Sequence, residues 1–368
     1  MAFERIAAAD TELERTARLR LSRTSRVGPV SFAQLLQRFG SAARALEELP
    51  HIVRRNGGAF TPPKVEHVEE ELRRGAALGA RLLLAGDDDY PALLRACDGA
   101  PPVLWALGPL KPKREAVAIV GARNASAAGL RMAETLARDL SAAGFLIVSG
   151  LARGIDARAH QTSLGGGTVA VLGGGVDDVY PPENAALYAA IRDNGLLVSE
   201  SPVGYAARAQ DFPRRNRVIA GLGLATVVVE AELRSGSLIT ARLAAEANRE
   251  VFAVPGSPLD PRAKGCNDLL RQGAQLCETA DDVIRALEGG LREPLLPFEP
   301  PAAFESPSED DIAGLSRRLA GLLSPVPVHR DDLARLAGAP VFAVLGALSE
   351  LEISGRAEAL DGGYYVSA

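Results

Sequence analysis

Hydrophobic and polar positions follow three different rhythms along this chain. Up to about residue 75, apolar positions recur at helical spacing. They predict helices over Glu12–Leu21, Ser31–Phe39 and Ser41–Leu49, with Ser31 and Ser41 as candidate N-caps. Between the first two lies Val27-Gly28-Pro29-Val30, a tight connection flanked by hydrophobes. It reads either as a helix-hairpin-helix (SAM-like) unit whose N–H groups can hold a phosphate, or as a plain αα-turn.

From residue 116 to 287 the rhythm changes to short apolar runs: Val117–Val120, Phe145–Val148, Thr168–Leu172, Leu196–Val198, Ala225–Val229 and Val251–Val254. Helical stretches separate them (Gly129–Ala143, Asp156–Leu164, Glu183–Arg192, Ser237–Asn248). Strands apolar on both faces and spaced by helices predict a parallel sheet covered on each side. The expected fold class is therefore α/β, a Rossmann-like doubly wound sheet. A Gly- and Pro-rich stretch over 289–308 predicts a linker. Beyond it, Asp310–Leu323, Arg330–Ala337 and Val341–Leu351, with a hairpin around Asp361-Gly362-Gly363, give the winged-helix pattern. The third helix of that fold often enters a DNA major groove. Here it carries no basic residue and ends in Glu350 and Glu352, which points to a protein-interaction or accessory role. The expected domains are 1–75 (helical), 76–288 (Rossmann-like), 289–308 (linker) and 309–368 (winged helix).

Composition adds constraints. The net charge of −5 argues against coating nucleic acid with the whole surface, but leaves room for a local basic patch, since screening acts over about 10 Å at 0.1 M salt. Only four of the 41 basic residues are lysines, a bias that coding preference explains for most positions. Cys97, Cys266 and Cys277 are scattered and never in CxxC spacing, so neither a disulfide framework nor a zinc site is expected. No run of about 18 apolar residues predicts a membrane span, and the first residues lack a signal-peptide core. The expected location is the reducing cytoplasm.

The chemistry concentrates in Phe212-Pro213-Arg214-Arg215-Asn216-Arg217. Pro213 suits the first turn of a helix. Three guanidiniums, a carboxamide and an aromatic ring then gather at a helix N-terminus, where N–H groups already favour anions. A ring beside phosphate donors suits single-stranded nucleic acid. Five small-residue loops, beginning at Gly121, Ser149, Gly173, Glu200 and Glu230, follow the strands. Their place is the carboxyl edge of the sheet, where open α/β folds bind ligands. No GxGxxG follows the first strand, and no Walker A motif is present.

Together these segments resemble the bacterial DNA-processing proteins of the DprA/Smf type. The matching pieces are Gly121-x-Arg123-x-x-Ser126, Ser149-Gly150-x-Ala152-x-Gly154-Ile155-Asp156 and Leu172-Gly173-x-Gly175-x-Asp177 with Tyr180-Pro181. Then follow Phe212-Pro213-x-Arg215-Asn216-Arg217, Val229-Glu230-Ala231 with Ser235 to Ala241, and Val254-Pro255-Gly256 with Gly265-x-Asn267. The resemblance implies a homodimeric single-stranded DNA-binding protein that protects incoming DNA in natural transformation and helps load the recombinase RecA. It implies phosphate contacts from Arg123, Arg215 and Arg217, and base stacking on Phe212. Asn216 would bond the backbone or buttress a loop, and Ser149, Gly150, Ser237 and Thr240 would line the groove. Gly121, Ser126, Gly173, Gly175 and Arg214 complete the expected DNA-binding set. No cofactor and no metal are expected.

Two enzymatic alternatives compete. Asp156, Asp177, Glu200 and Glu230 lie near strand ends, where clustered carboxylates can hold Mg²⁺ for a nuclease or phosphotransferase. They can equally cap helices and loop amides, and Asp156 opens a helix. A nucleotide-cleaving phosphoribohydrolase would need an acid closing the segment Ser235–Ala241, and none is there. Asp156 and His160 stand i, i+4 and could pair, but no nucleophile accompanies them. The reading is a binding protein, not an enzyme.

Overall fold

The computed structural model describes residues 8–9, 11–55, 60–290, 309–360 and 362–368. Four helices come first: α1 (Glu12–Ser22), α2 (Pro29–Phe39), α3 (Ala42–Arg55) and α4 (Val65–Ala77). The middle of the chain runs β1 (Arg81–Leu84), α5 (Ala92–Arg95), β2 (Val103–Leu107), β3 (Ala116–Gly121), α6 (Ala127–Ala142), β4 (Leu146–Ser149) and α7 (Ile155–Ser163). It continues with β5 (Thr168–Val171), α8 (Ala185–Asn194), β6 (Leu196–Ser199), α9 (Asp211–Leu222), β7 (Ala225–Val229), α10 (Gly236–Glu246) and β8 (Glu250–Ala253). Then come α11 (Lys264–Arg271), β9 (Gln275–Leu276) and α12 (Ala280–Gly290). The C-terminal elements are α13 (Glu309–Leu322), β10 (Val328–His329), α14 (Arg330–Ala337), α15 (Val341–Ile353), β11 (Ala357–Leu360) and β12 (Tyr364–Ser367).

Two compact units result: one runs from Glu69 through α12, and the other joins the preceding helices to the C-terminal elements. In the first, nine strands order as β1-β2-β6-β5-β4-β3-β7-β8-β9. From β6 to β9 along that order every pairing is parallel, while β2 joins β6, and β1 joins β2, antiparallel. The expected doubly wound parallel sheet is present and carries an antiparallel extension on one edge. Its β2 residue Trp105 is fully buried, and its indole N–H donates to Glu71 Oε1 at 2.6 Å. On one face Val117, Ile119, Ile147, Val227, Val229 and Phe252 pack against Ala133, Leu136 and Leu140 of α6 and Val283 of α12. Burying side chains of this kind contributes about 1.5–3 kcal/mol each for the larger ones, and holds the loop-bearing edge rigid.

In the second unit α2 starts two residues before the expected Ser31, because Pro29 supplies a helix-compatible φ in its first turn and Gly28 precedes it as N-cap. Ser41 does cap α3, accepting from the Arg44 N–H at 3.2 Å. Leu315, Leu319, Leu333, Val344, Leu348, Leu351 and Tyr365 form the core of the winged helix, whose sheet orders β10-β12-β11. Gly289 and Gly290 finish α12 rather than open the linker. The remainder of 289–308, and Asp361 in the hairpin, lie outside the described residues. Among those residues no single helix is long and apolar enough to cross a membrane.

Candidate nucleic-acid interface

Helix α9 organises the site. It begins at Asp211, whose carboxylate accepts from the Arg208 N–H at 2.7 Å and the Tyr205 hydroxyl at 2.9 Å. Pro213 falls in the first turn, where N–H groups have no intrahelical partner, so its missing donor costs nothing. Phe212 then stands at the carboxyl edge of the sheet against the Tyr180 ring, with centroids 5.1 Å apart and planes tilted by 37°. The Arg123 guanidinium sits 6.0 Å from the Phe212 centroid, and Gly173 backs the ring where a Cβ would stand 3.2 Å from it.

The helix directs its arginines three ways. Arg214 is exposed and its Nε meets Glu200 Oε1 at 2.6 Å. Arg217 donates to the other Glu200 oxygen and to the Gly99 carbonyl. It does not line the cavity described below. Arg215 is only 7% exposed. Its Nη1 donates to the Gly150 carbonyl at 2.8 Å and also to the Val171 carbonyl, which makes it a strut beneath two loops. Burial lowers its pKa to about 10, still well above neutrality. Its Nε is buried with no hydrogen-bond partner, and its side chain edges both cavities described below.

The loop after β4 is built around that strut. Gly150 N–H donates to Asp156 Oδ2 at 3.1 Å, and a Cβ on Gly150 would collide with the Arg215 guanidinium at 2.7 Å. Leu151 adopts φ +56° although fully buried, a conformation costly for a branched side chain. Its N–H donates to His160 Nε2 at 3.3 Å and its carbonyl accepts from Asn184 Nδ2 at 2.9 Å. Since Nε2 accepts, Nδ1 carries the proton and donates to Thr168 Oγ1 at 2.7 Å, which in turn donates to the Ile147 carbonyl at 2.9 Å. Burial, with the Arg215 charge nearby, depresses the His160 pKa to about 3, so the ring stays neutral. Burial raises Asp156, against the pull of Arg215 and of the Gly150 and Ala152 N–H groups. Gly154 has φ +76°, and a Cβ there would lie 2.3 Å from the Ala122 carbonyl.

A cavity of about 610 Å³ opens over this assembly. Of the expected residues, Gly121, Arg123, Phe212, Arg215, Asn216, Ser237 and Thr240 line it, and Asn216 also donates to the Gly236 carbonyl at 3.3 Å. Gly150 lines an adjoining cavity of about 170 Å³. Ser149 corrects its expected placement: it is fully buried, and its hydroxyl donates to the Ile119 carbonyl at 2.6 Å. Ser126 caps α6 and bonds Glu230, lining a separate cavity. Gly175 donates its N–H to the Tyr205 carbonyl at 2.8 Å and shapes a loop. Side chains outside the expected set join the site as well. Tyr180 borders both cavities, Arg153 the smaller and Arg234 the larger. Each exposed arginine is the cation of its own strand-end loop, which was the available signal.

The four carboxylates weighed as metal ligands go to separate tasks. Asp156 binds the Gly150 N–H, Asp177 the Gly204 N–H at 2.9 Å, Glu200 two arginines and Glu230 the N-cap of α6. Among the described residues no group of three His, Cys, Asp or Glu side chains is placed to hold a metal ion.

Comparison with known proteins agrees with this architecture. A family model described as DNA recombination-mediator protein A matches residues 81–288, a DprA-like N-terminal HHH domain matches 12–73 and a DprA winged helix domain matches 300–363. Protein Smf of Escherichia coli (strain K12) is 40% identical over 287 residues, 77% of this chain and 76% of that protein. The X-ray structure of DNA processing protein A from Streptococcus pneumoniae superposes with TM-score 0.63 at 32% identity, covering 75% of this chain and 98% of that one. DNA processing protein A from Helicobacter pylori, whose structure concerns its single-stranded DNA binding mode, gives TM-score 0.52 at 29% identity over 57% of this chain and 96% of that one. With a family model matching residues 81–288 and a relative 40% identical over 76% of its own length, the chain belongs to the DprA/Smf family of DNA recombination mediators.

Proposed function

We propose that this protein binds single-stranded DNA across the carboxyl edge of its sheet, with a base against Phe212 and Tyr180 and phosphates on Arg123, Arg153 and Arg234. The observation that carries the reading is the aromatic pair with a guanidinium beside it, set in a cavity of about 610 Å³. Stacking on an aromatic face tolerates any base, and exposed guanidiniums on separate loops follow a backbone rather than read base edges. Arg215 acts from below, holding the loops that carry these groups. The family membership and the single-stranded DNA binding of the Helicobacter pylori relative support the same reading. In this reading the protein works in the cytoplasm as a homodimer through the Rossmann-like unit. It protects incoming DNA and helps load RecA, with no chemical step and no cofactor of its own.

The test is a fluorescence-anisotropy titration of a labelled single-stranded oligonucleotide at several salt concentrations, with a duplex competitor and without metal or nucleotide. Salt-sensitive binding that resists the duplex, weakened by about 1–3 kcal/mol in Phe212→Ala, is the expected result. Absence of single-strand binding, or an unaffected Phe212→Ala variant, would overturn the proposal.

A further inference from the structure

The third helix of the winged-helix domain carries no cation, and its charged residues are Glu350 and Glu352. Its apolar side (Val344, Ala347, Leu348, Leu351) packs into the domain's own core. Its polar side does not face water: Ser349 and Glu350 are each 6% exposed. Part of their cover is α2 of the N-terminal helical domain, which belongs to the same compact unit.

Three residues of α2 make the contact, and their spacing of three and four places them on one helix face. Arg38 Nη1 meets Glu350 Oε1 at 2.5 Å, Gln34 Oε1 accepts from the Ser349 hydroxyl, and the Ser31 hydroxyl reaches Glu352 Oε2 at 3.5 Å. Glu350 also accepts from Ser316 at 3.1 Å. A fourth contact comes from Arg26, over Gly355 just after α15, where a Cβ would stand 2.3 Å from its Nη1. The charges are complementary: α2 contains no acid and α15 no base. A DNA-reading helix needs the reverse, exposed donors facing phosphates and base edges.

We propose that the winged-helix domain is a docking module for the chain's own N-terminal helical domain, with α15 serving as its protein-binding face and not as a reader of duplex DNA. The two ends of the chain thereby clasp into one unit. The seam is polar and charge-paired. Both partners can be hydrated on separation, whereas leaving one of them buried alone is costly. Such a contact depends on its charge pairing and is lost when one partner is reversed.

The test uses the full chain with a protease recognition sequence inserted in the Pro-rich stretch near residue 300. After cleavage at micromolar concentration, the C-terminal fragment is expected to co-elute with the remainder on size exclusion. Arg38→Glu should release it, with at least a tenfold weaker association, and Arg38→Glu combined with Glu350→Arg should recapture it. Circular dichroism of each intact variant keeps misfolding distinct from loss of docking. Excess duplex DNA should not free the fragment. Spontaneous separation of the cleaved wild-type protein would overturn the proposal. So would retention of the fragment by folded Arg38→Glu, failure of the double exchange, or release by duplex.

Discussion

Removing the Arg215 guanidinium separates a structural role from a binding role. In Arg215→Ala the Gly150 and Val171 carbonyls lose a charged donor, and Asp156 keeps its buried position without the opposing charge that favours its ionised form. Deleting one partner of a buried charged network costs about 3–5 kcal/mol, and the cost includes the two orphaned acceptors rather than adding to them. With a urea dependence of about 2–3 kcal/mol per molar, the midpoint should fall by roughly 1–2.5 M. The protein contains one tryptophan, the buried Trp105 on β2, so its emission reports unfolding of the sheet-bearing unit. Arg215→Lys should recover little, because both carbonyls are met by Nη1 and the lysine chain ends one bond short of that position. Arg123→Ala, on an exposed side chain, should leave the midpoint in place. An Arg215→Ala protein with an unchanged midpoint and weakened DNA binding would refute the strut and restore Arg215 as a direct phosphate ligand.

Arg123→Ala should weaken single-strand binding equally for all sequences and flatten the salt dependence by about one phosphate contact, read from anisotropy at graded salt. Tyr180→Ala should lower affinity, and the double variant with Phe212→Ala should lose less than the two single losses combined, because both rings serve one base; strict additivity would separate them. His160 has a folded pKa of about 3 against an ordinary 6.5, so its contribution is complete above pH 6.5 and is lost as the pH falls toward 3. The slope is about 1.4 kcal/mol per pH unit for one proton. Asp156, raised by burial, acts in the opposite sense at lower pH, so the contrast between wild type and His160→Gln in urea midpoints across pH 4–7 isolates the histidine. Deleting residues 309–368 should leave single-strand affinity within about twofold, measured by the same titration, because both cavities belong to the sheet-bearing unit.

The alternation of apolar runs and helices was enough to place the strands from β3 to β8, since each run is apolar on both faces and a helix separates it from the next. The antiparallel pair β1 and β2 escaped that logic: only the four-residue α5 stands between them, so no β-α-β rhythm marks them. Within the candidate site, loop composition located the edge that carries the cavities, but direction was harder to read. Arg215, Val218, Ile219 and Leu222 form an i, i+3, i+4, i+7 stripe, and all four are buried. That stripe turns Arg215 inward, a signal that the density of arginines in the motif obscured. Arg217 was diverted by Glu200 and Gly99, groups distant in sequence that only the fold brings near. Tyr180 became a site residue because the β5 loop folds its ring back onto Phe212, again a long-range event.

Leu151 sits at φ +56° with its N–H given to a histidine and its carbonyl to an asparagine, so the strand-end loop is tied down before any ligand arrives. A site held this firmly has little slack to spend on accommodating its partner, and the shape adjustment falls on the nucleic acid. A free single strand bends at every nucleotide, whereas a duplex resists bending over about 150 base pairs. In the proposed reading, choice between them becomes a mechanical test of compliance: strands limp enough to drape over a hard edge are retained, and a hairpin within the oligonucleotide competes with the protein simply by being stiff.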